Sequence, residues 1–252
     1  MDRRSFIAGT LAGASGAAAV WSAATLGSKR PLPIVAPAGR LSYSQMGEDL
    51  VLHDMLHLLM KLEHPTYIDI GAADPISVNN TYLLYKTGSR GVLVEPNPTY
   101  VAKLRRARPA DVVVGVGVGV DEAQAADYYV IRGRPMLNTF SPEQVARLQK
   151  ESKEPVVERV VKMPLVPVNQ LIASHLGHAP DLLSIDVEGL DLAILRTLDF
   201  ERYRPAVIIA ETLCMKTPHE NSEITNLLIS HGYVARGGSV YNTIYADPKR
   251  YS

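Results

Sequence analysis

Five short apolar runs, Tyr67 to Ile70, Gly91 to Val94, Val112 to Val116, Leu182 to Ile185 and Ala206 to Ala210, are separated by amphipathic or turn-rich segments, and this alternation constrains the fold more than any other feature. Strands that alternate with helices build a mainly parallel sheet covered by helices on both faces, so an α/β architecture is expected. Near the end, Val234 to Arg236 and Val240 to Ala246 flank Gly237-Gly238, a turn signal for a closing antiparallel hairpin. Ahead of the first run, Ser42-Tyr43-Ser44-Gln45 has capping-box spacing and Val51, Met55, Leu58 and Leu62 follow at helical intervals, which predicts a leading helix from about Gln45 to Lys61.

The stretch from Arg132 to Pro155 breaks the rhythm, combining Gly133, Pro135, Asn138, Ser141 and Pro142 with a short polar helix pattern from Glu143 to Lys150. It is expected to be an inserted loop or lid, about 132–155, within a single domain spanning 39–252. With 252 residues, 46% of them hydrophobic, the chain is long enough for one large domain with a sizeable core. Lys plus Arg balances Asp plus Glu at 26 each, so no overall field draws nucleic acid toward the protein. A lone cysteine, Cys214, excludes an internal disulfide and any multi-cysteine metal site.

Residues 1–38 have a different character. Arg3-Arg4-Ser5-Phe6-Ile7 precedes an uncharged stretch, rich in Ala, Gly, Ser and Thr, that runs to Ser28, and charge returns only at Lys29-Arg30. The stretch is long enough to span a bilayer but weakly hydrophobic for a permanent anchor, so it is expected to be a cleavable export signal. The order Arg-Arg-x-Phe-Ile resembles the twin-arginine translocation signal, a bacterial route for proteins already folded, and Ala36-Pro37-Ala38 offers a small-x-small cleavage site. This implies export to the periplasm and the twin-arginine machinery as a partner.

The chemistry concentrates where strands end. Tyr67-Ile68-Asp69-Ile70-Gly71-Ala72-Ala73-Asp74-Pro75 closes a strand with an acid, a glycine and small residues, and ligands of doubly wound sheets bind beyond the carboxyl ends of strands. The next strand ends in Glu95-Pro96-Asn97-Pro98, placing Glu95 one beta-alpha unit after Gly71, where an acid takes both ribose hydroxyls of a nucleoside-containing cofactor. A dinucleotide would also want a G-x-G-x-x-G turn. Here the turn is Gly71-Ala72-Ala73-Asp74-Pro75-Ile76, whose missing glycines and added carboxylate suit a sulfonium-bearing cofactor better than a pyrophosphate, favouring S-adenosylmethionine over NAD.

These blocks resemble the FkbM family of S-adenosylmethionine-dependent methyltransferases, from Ser44 to Asp247. The matching residues are Ser44-Gln45-Met46-Gly47-Glu48-Asp49, Asp69 to Pro75, Asn80-Thr81, Glu95 to Pro98, Ser184-Ile185-Asp186-Val187-Glu188-Gly189, and Tyr241-Asn242-Thr243-Ile244-Tyr245. The resemblance implies a Rossmann-like class I methyltransferase fold: a seven-stranded, mostly parallel sheet with an antiparallel C-terminal strand. It also implies that Asp69 and Gly71, with Ala72 beside them, line the methionine end of S-adenosylmethionine. Glu95 would hold the ribose and Asp121 the adenine end. Where many methyltransferases carry a second glycine, this chain has Ala73.

Asp186 and Glu188 stand at the end of another strand, with Gly189 permitting the turn into the next helix. Methyl transfer is chiefly in-line positioning with help in deprotonating the nucleophile, so either acid is a candidate base, or a holder of the acceptor by its hydroxyls. Together with Glu211 they could instead collect a hard divalent cation, or Glu188 could merely cap the following helix. Asn138, Thr139, Glu211 and His219 are candidate acceptor contacts, the first two on the lid. His53 and His57 lack a third metal ligand nearby, and Arg105-Arg106-Ala107-Arg108 is expected to be a solvated basic face at a helix end. No G-x-S-x-G elbow supports Ser-His-Asp catalysis.

The expected activity is methyl transfer to a hydroxyl oxygen of a small-molecule or glycan acceptor. The family resemblance supplies the oxygen preference and points to sugars, glycans or natural products. Export conflicts with a cofactor made in the cytoplasm. Three resolutions stand: an uncleaved label or membrane tether, work before export, or an exported nucleoside- or glycan-binding domain without turnover. An NAD-linked oxidoreductase comes third, behind that binding domain.

Overall fold

The computed structural model describes residues 39–212 and 222–251. Residues 1–38, where an export signal and cleavage site are expected, lie outside the described residues, as do Cys214 and His219.

The leading helix begins later than the capping pattern suggests. Ser44 Oγ accepts from the Gly47 and Asp49 N–H groups and donates to Asp49 Oδ1 at 3.0 Å, and Gly47 sits at φ 93°. These bonds shape a turn, so α1 runs Glu48–Asp54 and continues as a π-helical turn, Met55–Leu59. Glu48 then fastens α1 to the far edge of the sheet by accepting from Ser239 Oγ and Asn242 Nδ2.

Four of the five apolar runs form strands at or within one residue of the expected positions: β1 (Tyr67–Ile70), β2 (Gly91–Val94), and, beyond a long excursion, β7 (Leu182–Ile185) and β8 (Val207–Glu211). The remaining run is shortened to β3, Val112–Val114. Helices α2 (Tyr82–Lys86) and α3 (Pro98–Ala107) separate the first strands, and α5 (Val168–His175), α6 (Asp191–Thr197) and α7 (Ser222–Ser230) accompany the later ones. The closing hairpin is β9 (Val234–Gly238) and β10 (Asn242–Ala246).

The sheet order is β3-β2-β1-β7-β8-β10-β9. The first five strands are parallel, and β10 inserts between β8 and β9, antiparallel to both. This is the seven-stranded, mostly parallel α/β sheet of the Rossmann-like methyltransferase class. Alternate residues feed two cores: Ile68, Ile70, Val92, Val94, Leu183 and Ile185 pack with α5, α6 and α7, while Tyr67, Leu93, Leu182, Ile209 and Ile244 pack with α1 and with Leu84 and Leu104. Strand order reverses between β1 and β7, so a crevice opens beyond their carboxyl ends.

The inserted segment belongs to a larger unit than its loop-like composition indicates. Val116 leads into β4 (Gly117–Gly119), which pairs parallel with the end of β6 (Val157–Pro167), and β6 pairs antiparallel from Val157 to Pro164 with β5 (Ala125–Ile131). The 132–155 segment is the connection between β5 and β6. It carries a 3-10 turn, Pro135–Leu137, and α4, Pro142–Lys150, whose Leu148 packs with Ile131 and Val156 in a core of its own.

Candidate active site

The turn after β1 is tightly specified. Gly71 adopts φ 84°, and a Cβ built on it would run into the Asp186 carbonyl oxygen, so glycine is required because the ends of β1 and β7 press together. Ala73 and Val78 also have positive φ, at 45° and 54°, which side-chain-bearing residues adopt only when their surroundings hold them. The hold is visible: Asn79 Nδ2 donates to the Ala72 and Asp74 carbonyls at 3.0 and 3.1 Å, and Asp74 Oδ1 accepts from the Ile76 and Ser77 N–H groups.

Glu95 closes the other side of this turn. Its carboxylate accepts from Ala73 N at 2.9 Å and Asn97 N at 2.7 Å, joining the loop after β1 to the loop after β2. Burial pushes its pKa up to about 7, against the pull of those two N–H groups. Each oxygen keeps a lone pair for a further donor.

Beyond β7 lie three acids. Asp191 accepts from the Val187 and Gly189 N–H groups and so organises the loop. Glu188, at φ 55°, has its pKa pushed up to about 7 by burial and by the charges of Asp186 and Asp191. Asp186 lies deep among protein atoms although solvent reaches it through the crevice, and its carboxyl is held well above the usual range by that withdrawal from bulk water, then by Asp191, Glu211 and Asp69. The inserted segment grips the same loop: Gln144 Nε2 donates to Glu188 Oε2, and Thr139 Oγ1 to the Glu188 carbonyl.

These elements line an open cavity whose empty space, continuous with solvent at its mouth, is about 570 Å³. Of the residues expected at the site, Gly71, Glu95, Asn138, Thr139, Asp186 and Glu188 line it. The remaining four described ones are placed elsewhere. Asp69 is buried behind the turn, accepting from Thr81 Oγ1 at 2.7 Å, and Ala72 packs into the core beside Tyr67 and Leu93. Asp121 is exposed on the β4–β5 connection, where it accepts from Ala123 N, and Gly117 and Val118 line the cavity in its stead. Glu211 pairs in register with Asn242 on β10 and contributes charge near Asp186 without lining the cavity.

Asn138 Oδ1 accepts from Ile131 N, which anchors the inserted segment to β5, and Thr139 Oγ1 also accepts from Ser141 N. Among the described residues, no three His, Cys, Asp or Glu side chains are grouped to hold a metal ion. Glu188 does not cap α6; Asp191 binds the preceding N–H groups. Sequence reasoning missed Asp191, Tyr128 and Phe140. The first is signalled by three acids in the six residues from Asp186 to Asp191, whereas the aromatic pair, with ring centroids 4.8 Å apart, is brought together only by the β5–β6 unit.

Comparison with known proteins places these features in context. Several solved structures are similar in outline. They include precorrin-6y C5,15-methyltransferase from Geobacter metallireducens (13% identity, 79% of this chain and 86% of that one, TM-score 0.41). Another is a TehB-like SAM-dependent methyltransferase from Corynebacterium glutamicum (10% identity, 81% and 89%, TM-score 0.38). A third is an O-methyltransferase from Bacillus cereus in complex with SAH (13% identity, 83% and 84%, TM-score 0.36). No curated protein sequence matches the chain. The model of the methyltransferase FkbM domain matches residues 69–235, about two thirds of the chain, and takes in the turn after β1, Glu95 and the acids after β7. With that match, the chain belongs to the FkbM methyltransferase family.

Proposed function

We propose that the protein transfers a methyl group from S-adenosylmethionine to a hydroxyl oxygen of a sugar, glycan or natural-product acceptor. The observation that carries this reading is the meeting of Glu95, Asp186 and Glu188 on one cavity at the carboxyl ends of β1, β2 and β7. Among the described residues no lysine or arginine lines that cavity, and the carboxylates lining it suit a cationic ligand. When bound, S-adenosylmethionine supplies an electrophilic methyl group on a sulfonium centre. The backbone at Gly71 and Ala73 would lie along its methionine end, and Glu95, still able to accept from two hydroxyls, would hold its ribose.

Asp186 and Glu188 are the groups to receive the acceptor's proton. A carboxyl near 7 is about half ionised at neutral pH and still basic enough to help deprotonate a hydroxyl as it attacks. Pro135, Met136, Asn138, Thr139 and Phe140 of the inserted segment would face the acceptor and keep water from it.

Calorimetric titration of protein lacking residues 1–38 with S-adenosylmethionine and S-adenosylhomocysteine tests the reading, with Glu95→Ala in parallel. Micromolar binding lost in the variant is expected. Folded protein that binds neither ligand would overturn the methyltransferase reading. Export through residues 1–38 remains part of the proposal on its sequence alone, and an intact amino terminus on protein from the native host would count against cleavage after Ala38.

A further inference from the structure

Arg108 ends the run expected to be a solvated basic face. Arg105 and Arg106 are exposed, but the Arg108 side chain is 0% accessible. Its guanidinium spends its donors on four partners: Nε on Asp111 at 2.8 Å, Nη1 on Asn79 Oδ1 at 3.1 Å and Thr81 Oγ1 at 3.0 Å, and Nη2 on the Tyr67 hydroxyl at 2.9 Å. It also lies over the Tyr67 and Tyr85 rings, 5.4 and 5.2 Å from their centroids.

We propose that Arg108 is a positioning residue for the cofactor turn, acting through Asn79 and Thr81; the proposal rests on the methyltransferase reading of the cavity. Two limbs run from the guanidinium to the turn. Asn79, its amide oxygen fixed by Arg108, directs its Nδ2 onto the Ala72 and Asp74 carbonyls. Thr81, whose hydroxyl oxygen accepts from Arg108, directs its proton onto Asp69 Oδ2 at 2.7 Å. The backbone between these anchor points holds Gly71, Ala73 and Val78 at positive φ, a path that needs support from outside itself. Asp111 extends the frame by accepting from Gly91 N and the Tyr67 hydroxyl, which ties the start of β1 to the start of β2.

A buried ion pair is weak as a source of stability compared with apolar packing, so what this one supplies is geometry. A planar guanidinium can hold four acceptors in fixed directions, which the single nitrogen of lysine cannot reproduce. The network also accounts for the Asn80-Thr81 motif: Asn80 reaches Ser184 on β7, while Thr81 bridges Arg108 and Asp69.

The test measures S-adenosylhomocysteine affinity by calorimetry for wild type, Asn79→Ala, Thr81→Val, Thr81→Ser and Arg108→Lys, at a temperature where circular dichroism shows each protein folded. Asn79→Ala and Thr81→Val are expected to bind about tenfold more weakly or worse, with Thr81→Ser within about threefold of wild type. Amide exchange at residues 71–78 should quicken in the two weak binders while β8 and β10 stay protected. Arg108→Lys, if folded, should weaken binding as Asn79→Ala does. Wild-type binding matched within about twofold by folded Asn79→Ala and Thr81→Val would overturn the positioning role and leave the cofactor reading standing. Absence of wild-type binding would overturn both.

Discussion

Gln144 Nε2 lies 3.0 Å from Glu188 Oε2, so helix α4 of the inserted segment is fastened to the loop after β7 through a carboxylate that also lines the cavity. One contact thereby couples the covering segment to the group assigned to proton transfer.

Gln144→Leu removes that contact. Glu188 loses a donor that favours its charged form, so its pKa should rise further and the pH midpoint of turnover should move upward. Protease cleavage within residues 132–155 should quicken, with a stability loss of about 1–2 kcal/mol. An unchanged cleavage rate would mean that Thr139 and Asn138 suffice to hold the segment.

Binding should depend on pH through Glu95. On the proposed reading its ionised form would offer lone pairs to two ribose hydroxyls, and its pKa near 7 places the change within the neutral range. Affinity for S-adenosylhomocysteine is expected to rise between about pH 6 and pH 8 and then level off. Glu95→Ala should lose both the response and at least about tenfold in affinity, and orphaning the Ala73 and Asn97 N–H groups should cost about 1–3 kcal/mol each. Calorimetry across the pH range, alongside thermal melts, separates the two effects.

Stability should fall as pH rises over the same interval. Glu95 and Glu188 both bind a proton more tightly in the folded protein, near 7, than in the unfolded chain, where the ordinary glutamate value of 4.5 applies. Their contribution is therefore fully present below pH 4.5 and lost as pH climbs through 7, by at most about 3 kcal/mol for each carboxyl. Glu48 has the opposite sign: burial raises its pKa, but donation from Ser239, Asn242 and the Met46 N–H outweighs burial and holds it below 4.5. Melting temperatures of Glu95→Gln and Glu188→Gln should vary less between pH 5 and 7 than those of wild type.

Gly71→Ala should be among the most damaging single substitutions. It places a methyl group against the Asp186 carbonyl and puts a side chain at φ 84°. A loss of about 2–4 kcal/mol is expected, read from chemical denaturation, together with loss of cofactor binding. Retained binding at full stability would mean that β1 and β7 can part without harm to the site.

The sequence was most legible where one run of residues decides the outcome. The strands at Tyr67, Gly91 and Leu182 are short, wholly buried and bounded by turn residues, and they fall where the apolar runs stand. Asp186 and Glu188 were placed at a strand end for the same local reason. What escaped depends on partners distant in the chain. Strand β6 reads Val-Glu-Arg-Val-Val-Lys-Met-Pro-Leu-Val-Pro, with no strict alternation and two prolines, and its pairing with β5 spans the 132–155 segment, so the pattern alone did not separate a strand from a loop. Arg108 looks like its exposed neighbours Arg105 and Arg106, and only the convergence of Tyr67, Asn79, Thr81 and Asp111 makes its burial possible. Asp121 follows the third apolar run as a ligand-binding acid should, but a second short strand, β4, intervenes after β3, and Asp121 is carried away to an exposed turn.

The place of β10 between β8 and β9 has a temporal consequence. Residues 242–246 leave the ribosome after every other strand described, and at about 5–20 residues per second they follow the end of β8 by roughly 2–6 s. Throughout that interval β8 presents an unpaired edge, open to chaperones and to other nascent copies. Five residues thus decide when the sheet is finished, and a cellular route that accepts only finished proteins would make their docking the moment at which the molecule is cleared to depart.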